Sequence, residues 1–224
     1  MLYQKTMIKL LENEFKEHYG IVRPLHVSYS RYSGDFVLTD EKACKQCVQN
    51  GRNSDCQEQE VVRFICKDKE AIVIDFEGFI NSLSGTVIGN GRKCDLILYT
   101  LDKDKFILNE LTCSRADYIL PYKSQGKDKP GKKATAVNQI NDTIKKLDKV
   151  REIDLFINSF KQRIGLFACR IKIPSNHSMA QNVGIQGMQQ FMRPSNNIVS
   201  LKIDNLLNHG FTFIQLVYPQ EFIL

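Results

Sequence analysis

The chain has 224 residues, 42% apolar and 25% charged, the ordinary balance of a globular protein with enough length to bury a real core. No apolar run approaches the ~20 residues that cross a bilayer, and residues 1–19 mix charge with apolar side chains, unlike a secretory leader. A cytoplasmic protein with no membrane contact is therefore expected, and an odd count of seven cysteines then favours thiols or metal ligands over a disulfide framework. The net charge of +6 permits nucleic acid or another acidic partner, and equally fits a mildly basic surface.

In chain order, residues 5–19 read as an amphipathic helix with Met7, Leu10, Leu11 and Phe15 on one face and Gly20 as its stop. Residues 21–38 look extended. Residues 39–60 are polar and carry three cysteines, so 39–66 reads as a cysteine-rich insertion within one domain covering 1–224. Residues 61–67 and 70–76 are strand candidates, followed by a short helix from Asp75 to Leu83. CDLILYT (94–100) and KFILNELTC (105–113) are strands about a turn at 101–104; both are apolar on both faces, as in the middle of a covered sheet. The lysine-rich stretch 122–133 reads as a mobile loop, 134–149 as an amphipathic helix, and 152–160 as a shorter helix. Residues 164–173 read as a strand, 178–192 as helical, and 197–203 and 211–217 as closing strands. Strands alternating with helices define an α/β (α+β) class.

The hairpin brings Asp95, at the start of one strand, beside Glu110, near the end of the next. Two carboxylates among apolar neighbours repel and resist ionisation. A hard divalent cation such as Mg²⁺ or Mn²⁺ relieves that cost and can activate water at a phosphate. The competing reading is that one acid faces solvent while the other pairs with Arg92 or Lys93.

GRKCDLILYT followed by KFILNELTC resembles the core of the PD-(D/E)XK nuclease superfamily, where an Asp opens one strand and E-x-K closes the next; the likeness covers roughly residues 70–173. The resemblance implies a restriction-endonuclease-like core, a central mixed sheet flanked by helices. It implies that Asp95 and Glu110 bind Mg²⁺ or Mn²⁺, that the Leu111 carbonyl adds a ligand, and that Glu77 matches an extra acid. Gln139, in ATAVNQINDTIKKL, resembles a polar residue that some branches place beside the site. It also implies work on nucleic acid in restriction, repair or anti-phage defence, with a protein partner subunit.

One departure stands out. Thr112 occupies the place of the E-x-K lysine and brings no positive charge. Lys93, or Lys132 or Lys133 at the start of the downstream helix, could supply it; Thr112 or Gln139 with the metal could suffice; or the chain could be a catalytically silent subunit that binds nucleic acid or a protein.

From Lys123 to Arg151 there are nine basic residues and three acidic ones. Lys123, Lys127, Lys129, Lys132 and Lys133 are candidates for gripping phosphates, or else a solvating surface. Cys44-x2-Cys47, then Cys56 and Cys66, could close a structural Zn²⁺ site, with His26 as a substitute ligand, or be ordinary thiols. Walker, G-x-S-x-G and H-E-x-x-H patterns are absent. The sequence leaves DNA versus RNA and the oligomeric state open.

Overall fold

A computed structural model of the chain describes residues 5–40, 60–86, 88–89, 91–115, 118–172 and 199–224. The expected helix at 178–192 and Cys44, Cys47 and Cys56 lie outside the described residues. Among the described residues, no helix is long and apolar enough to cross a membrane.

The fold is mixed α/β. A seven-stranded sheet has the order β1-β4-β5-β6-β9-β11-β10. Its strands are β1 (Tyr29–Tyr32), β4 (Ala71–Asp75), β5 (Leu96–Thr100), β6 (Lys105–Arg115), β9 (Gln162–Lys172), β10 (Val199–Leu201) and β11 (Thr212–Val217). β4, β5 and β6 form an antiparallel meander, whereas β6, β9 and β11 run parallel. A parallel link needs a crossover. The one from β6 to β9 contains the long helix Gly131–Leu147 and the helix Arg151–Asn158.

Those helices and the N-terminal helix cover one face of the sheet. There Phe106, Leu108, Ile97 and Phe167 pack with Ile140, Ile144, Leu147, Ile153, Met7 and Phe15. The N-terminal helix runs as Met7–Leu10, a π turn Leu11–Phe15 and Lys16–His18, and buries the apolar face read from its spacing. On the opposite face the described cover is a second sheet. A three-stranded sheet of β12 (Glu221–Ile223), β3 (Glu60–Ile65) and β2 (Phe36–Thr39) packs there through Phe36, Val62, Phe64 and Phe222 against Val73, Leu98, Ile107 and Leu166. β5, β6 and β9, apolar on both sides, are thus buried on both sides.

The β5–β6 turn is pinned by several contacts. Lys103 takes a left-handed φ of 61°. Thr100 Oγ1 accepts from the N–H groups of Asp104 (3.1 Å) and Lys105 (3.0 Å). The Asp104 carboxylate bridges Lys69 (2.6 Å) and Lys105 (2.9 Å), and these ammonium groups hold its pKa down at about 2.

The lysine-rich stretch, expected as a mobile loop, contains a hairpin of β7 (Tyr122–Ser124) and β8 (Lys127–Lys129). Gln125 and Gly126 both have positive φ (51° and 72°), which matches a primed two-residue turn. The hairpin runs directly into the long helix through Pro130 and Gly131. Gly131 is buried with φ 76°, and a Cβ there would collide with the backbone carbonyl of Leu120. Gly131→Ala should therefore cost about 3 kcal/mol in strain and overpacking, lowering the melting temperature by about 6–12 °C. An unchanged thermal melt would mean that the helix start is free to shift.

Candidate metal and phosphodiester site

Strand lengths create the site. β5 and β6 pair from Tyr99↔Phe106 to Leu96↔Asn109, so the next opposed positions are Asp95 and Glu110. β5 stops there, but β6 continues to Arg115, leaving one edge of its last residues without a strand partner among the described residues. Carboxylates take over. Leu111 N–H donates to Asp95 Oδ2 (2.7 Å) and Cys113 N–H to Asp40 Oδ2 (2.9 Å). In a strand the N–H and C=O of one residue point the same way, so the Leu111 carbonyl opens onto this same edge.

Asp95 is held from two directions. Its carbonyl accepts from Phe76 (3.1 Å) and Glu77 (2.9 Å), the first N–H groups of the short helix Phe76–Ser82, which Asp75 caps through Gly78 N–H (2.8 Å). The three residues before Asp95 are clamped by one face of the long helix. Gln139 Nε2 donates to the Lys93 carbonyl (3.0 Å), Cys94 N–H donates to Thr143 Oγ1 (2.8 Å), and the Lys146 ammonium donates to the Arg92 carbonyl. Positions 139, 143 and 146 follow the i, i+4, i+7 spacing of a single helix face. Gln139 therefore positions the backbone leading to Asp95, a more specific task than lying beside the site.

Glu110 is 6% exposed, and its Oε1 has no hydrogen-bond partner among the described residues. Burial, then the charges of Asp95 and Glu77, raise its pKa to about 10, against a backbone hydrogen bond at Asp95 and the charge of Lys132. Such a carboxyl must hold either a proton or a cation.

A cleft of about 1000 Å³ gathers Glu77, Asp95, Glu110, Leu111, Thr112, Lys132 and Gln139. Thr112 is buried on the same strand face as Glu110, as alternation requires. The candidate lysines separate. Lys132 is exposed, lines the cleft and acts on Glu110. Lys133 turns into a smaller groove with Leu120, Pro121 and Val137, where burial lowers its pKa. Lys93 does not line the cleft; its backbone serves as the Gln139 acceptor. Lys123, Lys127 and Lys129 are exposed on the hairpin that precedes Lys132.

Pattern reading missed Asp40. Its partner, Cys113, lies 73 residues away, and nothing in the local sequence marks it. Of the proposed zinc ligands only Cys66 is described: it is buried, and its thiol donates to the Lys69 carbonyl (2.9 Å). Cys66 packs in the core under the small sheet, whereas Val27, next to the alternative ligand His26, packs in the helical core.

Among the described residues, no three His, Cys, Asp or Glu side chains cluster closely enough to cage a metal alone. Mg²⁺ does not need such a cage, since it keeps several waters and takes one or two carboxylates plus substrate oxygens. The orphaned Glu110 oxygen, the Asp95 carboxylate and the outward Leu111 carbonyl fit that donor set. No family model matches the chain, and no curated protein or solved structure matches it.

The raised pKa gives a signed prediction. From about 4.5 upward the unfolded chain releases the Glu110 proton while the folded chain keeps it until about 10, so metal-free stability should fall across that window. Glu110→Gln, which mimics the protonated group, should stabilise the metal-free protein at pH 8 by about 2 kcal/mol, or about 4–8 °C in melting temperature. The gap should narrow toward pH 5. Mn²⁺ should raise the wild-type melting temperature and leave Glu110→Gln unmoved; equal responses would argue against a cation at Glu110.

Proposed function

We propose that this chain is a Mg²⁺- or Mn²⁺-dependent nuclease of the PD-(D/E)XK kind, with Lys132 in place of the missing E-x-K lysine. The observation that carries the reading is the buried, unpartnered Glu110 oxygen beside Asp95 and Glu77, in a cleft open enough for a substrate. Asp40, Asp75, Glu77, Asp95 and Glu110 line that cleft with a single lysine among the described residues, Lys132. Such a field repels phosphate until a cation offsets it.

Asp95, Glu110 and the Leu111 carbonyl would hold the cation, with Glu77 alongside; a cation there lowers the pKa of water and neutralises phosphate charge. Lys132 supplies the ammonium that Thr112 cannot, stabilising charge that develops on the phosphate. The Thr112 hydroxyl is left to orient water. Gln139 and Thr143 keep the Asp95 segment in place against the helix. Lys123, Lys127 and Lys129 on the hairpin neutralise backbone phosphates, which gives affinity without sequence preference.

A second reading is a silent nucleic-acid-binding subunit, and Thr112 favours it, because no ammonium stands on the β6 face that bears Glu110. Cleavage of a DNA and RNA panel with Mg²⁺ or Mn²⁺ separates the two. Under the nuclease reading Asp95→Ala and Glu110→Ala should abolish cleavage, Lys132→Ala should slow it about 10²–10³-fold, and Lys93→Ala should stay near wild type. Oligonucleotide binding with no cleavage by the wild type would move the assignment to the binding subunit.

A further inference from the structure

The cleft that holds the acids and Lys132 also takes in Ser30, Tyr32, Thr39 and Asn81. Tyr32, on edge strand β1, is half-buried, and its hydroxyl makes no hydrogen bond among the described residues. Its ring lies stacked on Phe36, the first residue of β2, with centroids 4.1 Å apart and planes 14° from parallel. Phe36 in turn stacks on Phe64 at 5.0 Å and 15°. Phe36 and Phe64 are buried (6% and 0% exposed), so the ladder runs from the small sheet's core to the cleft and ends on Tyr32.

A flat ring fixed by two rings behind it loses little freedom when another ring joins it, and every nucleobase offers such a face. Bases inside a duplex are already stacked and paired, so they cannot turn toward a protein wall while their phosphates face the acids. The geometry points to a substrate with unpaired nucleotides, a single strand or a single-stranded flap, that runs along the cleft. Tyr32 stands in the row of Ala71 and Thr100, about 17 Å along the sheet from the acids, so one base stacks on Tyr32 while the phosphate of a nucleotide several positions away lies at Asp95 and Glu110. This inference rests on the nuclease reading and adds the strandedness of the substrate.

The test is binding of fluorescent single-stranded and blunt duplex oligonucleotides to the full chain in Ca²⁺, with 2-aminopurine in the strand to report stacking. Single strands should bind more tightly than the duplex and quench 2-aminopurine. Tyr32→Ala and Tyr32→Leu should each weaken single-strand binding roughly 10- to 100-fold and remove the quench. Tyr32→Phe should keep both, and Tyr32→Leu, which retains bulk over Phe36, controls for loss of packing. Single-strand binding indifferent to Tyr32→Leu, or tighter binding of the duplex, would overturn this proposal and leave the nuclease reading standing. Failure of every oligonucleotide to bind would overturn both.

Discussion

A carboxyl group withdrawn from water next to two other acids is the constraint around which this molecule is arranged. Ionised Glu110 without a partner is costly in an apolar setting, and its neighbours Asp95 and Glu77 make it costlier. Few natural arrangements tolerate that cost without a return. The strongly apolar β5, β6 and β9 supply a rigid frame, and the long helix fixes the approach to Asp95 at three points. Stability built into the frame maintains an unfavourable local charge distribution, a pattern that recurs at functional sites.

Much of the frame was legible in the sequence because periodicity reports burial. LILYT and KFILNEL are apolar on both faces, and the structure buries both faces. The turn at 101–104 was visible, so the opposition of Asp95 and Glu110 followed by counting. The small sheet was harder to see: β12 pairs in parallel with β3 from the far end of the chain, through Phe222↔Phe64, and local patterning carries no information about such pairings. The hairpin at 122–129 hid because β7 and β8 are short and mostly polar; its one local signal was Gln125-Gly126.

The site divides in the same way. Acids on paired strands are set by register and could be named in advance. Which lysine faces the acids could not, because Lys93, Lys132 and Lys133 are equivalent in composition, and only the long helix's packing turns Lys132 toward Glu110 and Lys133 away. Asp40 is a contact between segments distant in sequence and left no local trace. Gln139 was recognisable as a residue of interest, but its bond to a main-chain carbonyl, which makes it a brace, is a tertiary fact.

The turn that joins β5 to β6 lies five residues from the acids along each strand, about 17 Å away at strand rise. It nevertheless decides which residues become the acidic pair. Side chains alternate, so adding or removing one residue between Thr100 and Lys105 would slide β6 by one step if the core kept its hold on β5. Leu111 or Asn109 would then stand opposite Asp95, and Glu110 would turn to the other face, among the apolar contacts of the small sheet. Lys103, Thr100 and the twice-paired Asp104 act in this respect as a ruler. Lysines far from the cleft can vary freely, but a length change at that distant corner would part Asp95 from Glu110 while leaving every chemical group in the sequence.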